Sequence, residues 1–251
     1  AYAGMRKIHI EGNRLFLNNE PLYLRMVLDQ GFYPDGVWTA PSDEALKKDI
    51  ELSMSVGFNS ARLHQKVFEE RFHYWADKLG YLTWGEAGSW GVDVNSEVAA
   101  RNFLTEWREV VIRDRNHPSV VMWSLGNEAG PGDNFVAAYD AIKAFDQSRP
   151  VQYERNNNIV DIGSNQYPSI AWVQGAVTGK YNIKYPYHIS EYAHSMGNAC
   201  GNLVDYWDAM ESTNFFIGGA IWEWIDHGLY NYDKKTGDRF FGYGGDFGDK
   251  P

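Results

Sequence analysis

Residues 119–128 read Ser119-Val120-Val121-Met122-Trp123-Ser124-Leu125-Gly126-Asn127-Glu128. An apolar run of strand length stops at a glycine, polar residues follow, and residues 132–147 then show helical periodicity. A run apolar at successive positions suits a strand buried on both faces, as in a parallel sheet. The same unit of short β-rich run, polar loop and helical segment recurs along the chain. Strands are expected at 22–28, 58–63, 81–86, 119–125, 151–154, 162–167, 187–191 and 216–222. Helices are expected at 43–56 with Ser42 as N-cap, 69–80, 96–114 with Ser96 as cap, 132–147 and 201–212. The fifth and sixth connections are irregular. Eight units in 251 residues match a (β/α)8 barrel better than a doubly wound sheet of five or six strands.

Ahead of the first unit, Ile8 and Ile10, then Leu15 and Leu17, alternate in period two around Glu11-Gly12-Asn13. This predicts an N-terminal β-hairpin that plugs the barrel bottom. No Pro/Ser/Gly linker or charge block divides the chain, so residues 1–251 are expected to form a single barrel domain. The glycine-rich stretch Phe241-Gly242-Tyr243-Gly244-Gly245-Asp246-Phe247-Gly248 is read as a loop, not a phosphate cradle, because no helix or Lys-Ser/Thr pair follows it.

Composition narrows the function. Apolar residues at 44% and charged residues at 22% give a globular balance and exclude a fibrous or disordered chain. A net charge of −10 repels phosphate backbones, so nucleic acid is not an expected partner. No apolar run reaches the ~18 residues that span a bilayer. The opening AYAGMRKIHIEGN also lacks a signal-peptide core. The chain is therefore expected to be soluble, with no membrane partner and with cytoplasm favoured over secretion. The lone Cys200 excludes an internal disulfide and a Cys-rich zinc site. The chain holds 10 Trp, 16 Tyr and 13 Phe, and flat rings suit the apolar faces of sugars.

In such a barrel the active site lies where strands end and βα loops begin. The fourth strand runs into Gly126-Asn127-Glu128 and the seventh into Glu191-Tyr192-Ala193-His194, which places two carboxylates on one rim. Paired carboxylates across a cleft serve glycosidic bond cleavage, one protonating the leaving oxygen and one attacking or activating water. A single Glu at a strand end is more often a solvated residue or a partner of Arg. Asn127 beside Glu128 sharpens the reading, since its amide can donate to a sugar hydroxyl next to the reacting carbon.

From about residue 113 onward, RDRNHPSVVMWSLGNEAG, RPVQYE, SEYAHSMGN, IWEWIDHGL and YGGDFGD resemble the catalytic barrel of glycoside hydrolase family 2 β-galactosidases. The resemblance implies a general acid/base at Glu128 and the nucleophile of a retaining mechanism at Glu191. It further implies sugar-contacting or nucleophile-supporting roles for His64, Asn127, Tyr167, His194 and Trp222. The AHSMGN continuation favours galactosidases over glucuronidase and mannosidase relatives. The first ~95 residues, with LDQGFYPDGVWTAPSDEALKKDIELSMSVGFNSARLHQKV and YWADKLGYLTWGE, resemble a different, exo-acting branch of the family. The resemblance implies that members of the galactosidase type commonly carry His-rich loops after the first strand and a Glu-x-His after the third, the latter helping to hold a magnesium ion. Here those positions read Asp29-Gln30-Gly31-Phe32-Tyr33 and Glu86-Ala87-Gly88-Ser89-Trp90, so no metal and no other cofactor is expected.

Relatives also carry β-sandwich domains on both sides of the barrel. The mixed signatures and the absence of those domains fit an excised, chimeric or engineered barrel. Asp29, Glu86 and Asp226 stand at plausible strand ends as supporting or salt-bridged carboxylates, and His117 is expected to be structural at the barrel bottom. Trp38, Trp90, Trp222 and Trp224 are candidates for a stacking platform. The expected activity is retaining hydrolysis of terminal β-linked galactose or a related β-glycoside. A carbohydrate-binding or scaffold barrel with little turnover is the alternative.

Overall fold

The computed structural model describes residues 2–89 and 96–250. The chain opens with β1 (Ile8–Glu11), β2 (Arg14–Leu17) and β3 (Glu20–Pro21), paired antiparallel in that order. Eight parallel strands follow: β4 (Leu24–Asp29), β5 (Ser60–Leu63), β6 (Leu82–Glu86), β7 (Val120–Ser124), β8 (Val151–Gln152), β9 (Gly163–Gln166), β10 (Tyr187–Tyr192) and β11 (Phe216–Ile221). Their order is β8-β7-β6-β5-β4-β11-β10-β9, and a parallel bridge between Gln152 and Ile162 joins the two ends into a ring. This is the expected (β/α)8 barrel.

The helices are α1 (Asp43–Ser55), α2 (Glu70–Leu79), α3 (Glu97–Asp114), α4 (Asp133–Phe145), α5 (Ile170–Val177) and α6 (Leu203–Glu211). Ser42 Oγ accepts the Ala45 N–H at 3.2 Å and Ser96 Oγ accepts that of Ala99 at 3.3 Å, which fixes where α1 and α3 begin. The hairpin closes the barrel bottom, where Ile8 and Leu15 pack with Leu24, Met26, Trp84, Met122 and Ile217. At that same end His117 Nδ1 lies 2.6 Å from Asp77 Oδ2, tying the start of β7 to α2.

The structure corrects the expected pattern in three places. β8 spans two residues instead of four; the connection to β9, expected to be irregular, holds no helix. The polar run Arg155-Asn156-Asn157-Asn158 explains the latter, because Asn157 bonds both the N–H (2.8 Å) and the carbonyl (3.0 Å) of Ser164 and so competes with helix formation. Between β9 and β10 lies α5, capped by Ser169 Oγ on the Trp172 N–H at 3.2 Å. Its sequence, Ile170-Ala-Trp-Val-Gln-Gly-Ala-Val177, is too uniformly apolar to show a helical period. Beyond β11, β12 (Leu229–Tyr232) and β13 (Arg239–Gly242) form a hairpin that takes in the first residues of the expected glycine loop, with Tyr230 and Phe241 stacked at 4.9 Å.

Candidate active site

The interior of the barrel carries a polar layer just below its C-terminal rim. Arg62 on β5 is fully buried and serves as its hub. Its Nε and Nη2 donate to Glu86 Oε2 at 3.1 and 2.9 Å, Nη1 donates to Glu191 Oε1 at 3.2 Å and to the Ser190 carbonyl at 3.0 Å, and Nη2 also reaches Asn127 Oδ1 at 2.9 Å. Glu86 Oε2 also accepts from Ser124 Oγ, which in turn accepts from Gln152 Nε2, and Ser164 Oγ donates to Gln152 Oε1 at 3.0 Å. The chain Arg62, Glu86, Ser124, Gln152, Ser164 thus takes one residue from each of five consecutive strands, β5 to β9. A buried guanidinium is tolerable only when its donors are met, and here they are.

Gln166, at the end of β9, donates from Nε2 to Glu191 Oε1 at 2.6 Å and to Asn127 Oδ1 at 2.8 Å. Asn127 Oδ1 therefore accepts from both Arg62 and Gln166, so the amide must place its Nδ2 donors on the opposite side. Tyr167 donates its hydroxyl to Glu191, and burial beside that carboxylate keeps the phenol protonated. Burial pushes the Glu191 carboxyl above its ordinary value, while Arg62, Gln166 and Tyr167 pull it back.

The loop bearing Asn127 and Glu128 hangs from two side chains: Ser89 Oγ accepts the Asn127 N–H at 2.9 Å and Glu154 Oε1 accepts the Glu128 N–H at 2.7 Å. Gly126 makes the turn with φ +150°, where a Cβ would clash with the Ser89 hydroxyl. Glu128 itself has φ +50°, and Gln65 (+49°) and Tyr167 (+47°) share that left-handed conformation at other strand ends. Such backbone costs of order 1 kcal/mol or more per residue and persists where surrounding bonds hold it. Arg155 Nη2 lies 3.6 Å from Glu128 Oε1.

Above this layer opens a cavity of about 390 Å³. All seven residues singled out from the sequence, His64, Asn127, Glu128, Tyr167, Glu191, His194 and Trp222, line it, together with Gln30 and Gln65. Trp222 stacks on His194 with centroids 5.7 Å apart and planes 5° from parallel, and it meets His64 edge-on at 5.5 Å. This aromatic wall stands beside the carboxylate Glu191. Burial and the Arg62 cation push His64 down to about 2, so its imidazole is neutral. His64 Nδ1 lies 2.6 Å from Gln30 Nε2 and therefore accepts from that amide, which leaves the proton on Nε2, 3.8 Å from Glu191 Oε1 and without a hydrogen bond of ordinary geometry.

Other candidates fall outside the cavity. Asp29 is buried at the end of β4, accepts the Gly31 N–H at 2.8 Å, and burial raises it to about 7. Glu86 belongs to the layer beneath, and Asp226 is exposed. Of the four tryptophans expected as a platform, Trp222 lines the cavity, Trp38 is exposed, Trp224 packs against the cluster between α1 and β4, and Trp90 lies outside the described residues. The residues do not fit a magnesium ion: Glu86 is spent on Arg62, and among the described residues no group of three or more His, Cys, Asp or Glu gathers around a point. A larger cavity of about 490 Å³ at the barrel bottom is lined by Arg6, Arg115 and Arg149, whose guanidiniums bond backbone carbonyls.

Arg62, Gln166 and Glu154 escaped the sequence reading. Arg62 was visible as a charge inside an apolar strand, Ser60-Ala61-Arg62-Leu63, a position that demands buried partners.

The model of glycosyl hydrolases family 2, TIM barrel domain, matches residues 8–251. The chain belongs to that family. Among curated proteins this family 2 barrel is 35% identical over 266 residues to a β-galactosidase of Photobacterium profundum, covering 98% of the chain and 26% of that protein. To a β-galactosidase of Lactococcus lactis subsp. lactis it is 36% identical over 269 residues, covering 99% of the chain and 26% of that protein. The barrel therefore spans about a quarter of the length of these relatives. Among solved structures it resembles a β-galacturonidase of Eisenbergiella tayi bound to galacturonate (TM-score 0.77, 21% identity, 88% of this chain and 47% of that one). A β-glucuronidase of Ruminococcus gnavus gives TM-score 0.75 at 20% identity, over 94% of this chain and 49% of that one. At these identities the structures speak for the fold alone.

Proposed function

We propose that this barrel is a single catalytic domain that hydrolyses terminal β-linked galactose, or a closely related β-glycoside, with retention. The observation that carries the reading is that Glu128 and Glu191 line one cavity while Arg62, Gln166 and Tyr167 orient Glu191. In the first step a Glu191 oxygen attacks the anomeric carbon, the bond from that carbon to the leaving oxygen breaks, and Glu128 gives that oxygen its proton. In the second, Glu128 takes a proton from water, the water oxygen attacks the same carbon, and the bond to Glu191 breaks. Asn127 Nδ2, turned from Arg62 and Gln166, donates to the sugar hydroxyl beside the reacting carbon. Trp222, His194 and His64 provide the face on which the ring sits, and Tyr167 keeps its donor on the nucleophile.

Two observations favour a neutral hexose. The relatives that match nearly the whole chain at about 35% identity are β-galactosidases. Among the described residues lining the cavity no Lys or Arg is present to pair a sugar carboxylate. The partner is therefore a small carbohydrate, and no helix among the described residues is long and apolar enough to cross a membrane. The test is hydrolysis of p-nitrophenyl β-galactoside, β-glucuronide and β-mannoside by the purified chain. Turnover led by the galactoside supports the reading. A preference for the glucuronide overturns the choice of sugar, and sugar binding without turnover of any substrate overturns the activity.

A further inference from the structure

We infer that Glu154 is the positioning residue for the acid/base Glu128, an inference that rests on the role proposed for Glu128 above. β7 and β8 pair in parallel, and the Leu125 N–H still bonds the Gln152 carbonyl at 3.0 Å. Continuing that alternation would send the Asn127 N–H, and not that of Glu128, to the Glu154 carbonyl. The ladder stops instead. The Asn127 N–H goes to Ser89 Oγ, and the Glu128 N–H goes to the Glu154 carboxylate at 2.7 Å. Glu154 thus meets with its side chain an N–H that the β7–β8 ladder does not reach, and the residue it holds has φ +50°. A side-chain acceptor on that N–H offsets the cost of left-handed backbone at a residue with a Cβ.

The rest of the Glu154 environment fits an anchor and not a solvated rim residue. Its side chain is 1% exposed, while that of Glu128 is 36% exposed. Its Oε2 is buried without a hydrogen bond. The Arg155 guanidinium spans the two carboxylates, with Nε 3.6 Å from Glu154 Oε1 and Nη2 3.6 Å from Glu128 Oε1. A buried carboxylate is costly, and this one is retained where it fixes the direction in which Glu128 leaves the backbone. Glu154 does not touch the reacting atoms. It acts by keeping the acid where the leaving oxygen and the attacking water can reach it.

The conservative variant separates this role from simple structural support. Glu154→Gln keeps an acceptor oxygen for the Glu128 N–H, whereas Glu154→Ala removes it, with Glu154→Leu as a second variant of fuller volume should alanine fail to fold. With a methyl β-galactoside, whose leaving group needs a proton, Glu154→Ala should lose about 10- to 100-fold in kcat/KM. With 2,4-dinitrophenyl β-galactoside, whose leaving group needs none, the loss in kcat/KM should be no more than about threefold. Added azide should then speed Glu154→Ala on the dinitrophenyl substrate and give the glycosyl azide, because azide attacks the anomeric carbon and displaces Glu191 without needing a base. Glu154→Gln should stay close to wild type on both substrates.

Equal losses on both substrates without an azide effect, or a Glu154→Gln variant as impaired as Glu154→Ala, overturn the inference. Exchange of the Glu128 amide proton, followed by NMR, reads the bond without any substrate. It should be slow in wild type and Glu154→Gln and fast in Glu154→Ala, and slow exchange in Glu154→Ala also overturns it. A wild-type chain inert to every galactoside instead removes the activity reading, while the exchange measurement still decides whether Glu154 holds the loop.

Discussion

Arg62 Nη1 stands 3.2 Å from Glu191 Oε1, with both side chains removed from solvent. The contact joins β5 to β10 across the barrel interior and gives the proposed nucleophile its one direct cationic partner of ordinary ion-pair length among the described residues. Burial alone drives Glu191 toward its protonated form, which cannot attack, and Arg62 opposes that drive. The acid limb of kcat/KM should therefore lie above the ordinary carboxylate value of 4.5. Arg62→Lys, which offers a point charge in place of a fork, should move that limb to higher pH and reduce the rate. Arg62→Met should also cost about 3–5 kcal/mol of stability by stranding Glu86 and Glu191. A pH–rate profile of Arg62→Lys that superimposes on wild type would contradict the assignment.

Gln166 holds two acceptors with one amide nitrogen, at 2.6 Å from Glu191 Oε1 and 2.8 Å from Asn127 Oδ1. Gln166→Met keeps much of the volume and removes the donor. About a tenfold loss in kcat/KM is expected, the equivalent of one hydrogen bond to a charged group. Gln166→Glu should be worse, because it sets a like charge beside the nucleophile. Steady-state kinetics of the two variants check the order, and Gln166→Glu equal to or better than Gln166→Met would contradict it.

Asp29 offers a stability test that bypasses catalysis. Burial raises its folded pKa to about 7 from 3.8, so the folded chain keeps a proton that the unfolded chain releases between those values. Unfolding free energy should fall as pH rises through that window, by a few kcal/mol in order of magnitude, and level off above about 7. Asp29→Asn keeps the acceptor for the Gly31 N–H and removes the titration. Urea unfolding at pH 5 and pH 8 should show the variant gaining on wild type at the higher pH; parallel behaviour would contradict the raised pKa.

The strand–loop–helix units were legible because their periods are set locally, as in Ser119–Glu128, where an apolar run ends at a glycine that only the turn requires. Of the cavity residues, Asn127, Glu128 and Glu191 were legible at strand ends in compact motifs, whereas His64, Tyr167, His194 and Trp222 came from the family resemblance and Gln30 and Gln65 carried no local signal. α5 was not legible, since an apolar helix lacks a polar face to mark its period. The partners of Arg62 were not, since Glu86 and Glu191 lie 24 and 129 residues away and only closure of the barrel brings them together. Glu154 was hidden behind a β8 that ends two residues earlier than its apolar pattern suggests. The stacking platform was overread, because tryptophans at Trp38 and Trp224 look alike in sequence and differ only in what folds against them.

Glu128 should govern leaving-group dependence. Glu128→Gln should lose about 100-fold or more on alkyl β-galactosides, and far less in the first step with activated aryl galactosides, since general acid catalysis of this kind contributes roughly 10²–10⁴-fold. Rates across a series of aryl galactosides of varied phenol pKa give the check. A slope unchanged from wild type would remove Glu128 from the acid role.

The most direct test of the account is capture of the covalent intermediate on Glu191. An activated 2-deoxy-2-fluoro-β-galactoside slows both steps by destabilising positive charge on the ring, while its good leaving group lets the first step proceed and the second stall. Mass spectrometry of a proteolytic digest should find one added fluorosugar on the peptide that carries Glu191. Glu191→Gln should abolish the label and Glu128→Gln should retain it. A label on any other carboxylate, or turnover by active wild type with no label at all, would contradict the assignment of Glu191 as the nucleophile of a retaining hydrolase.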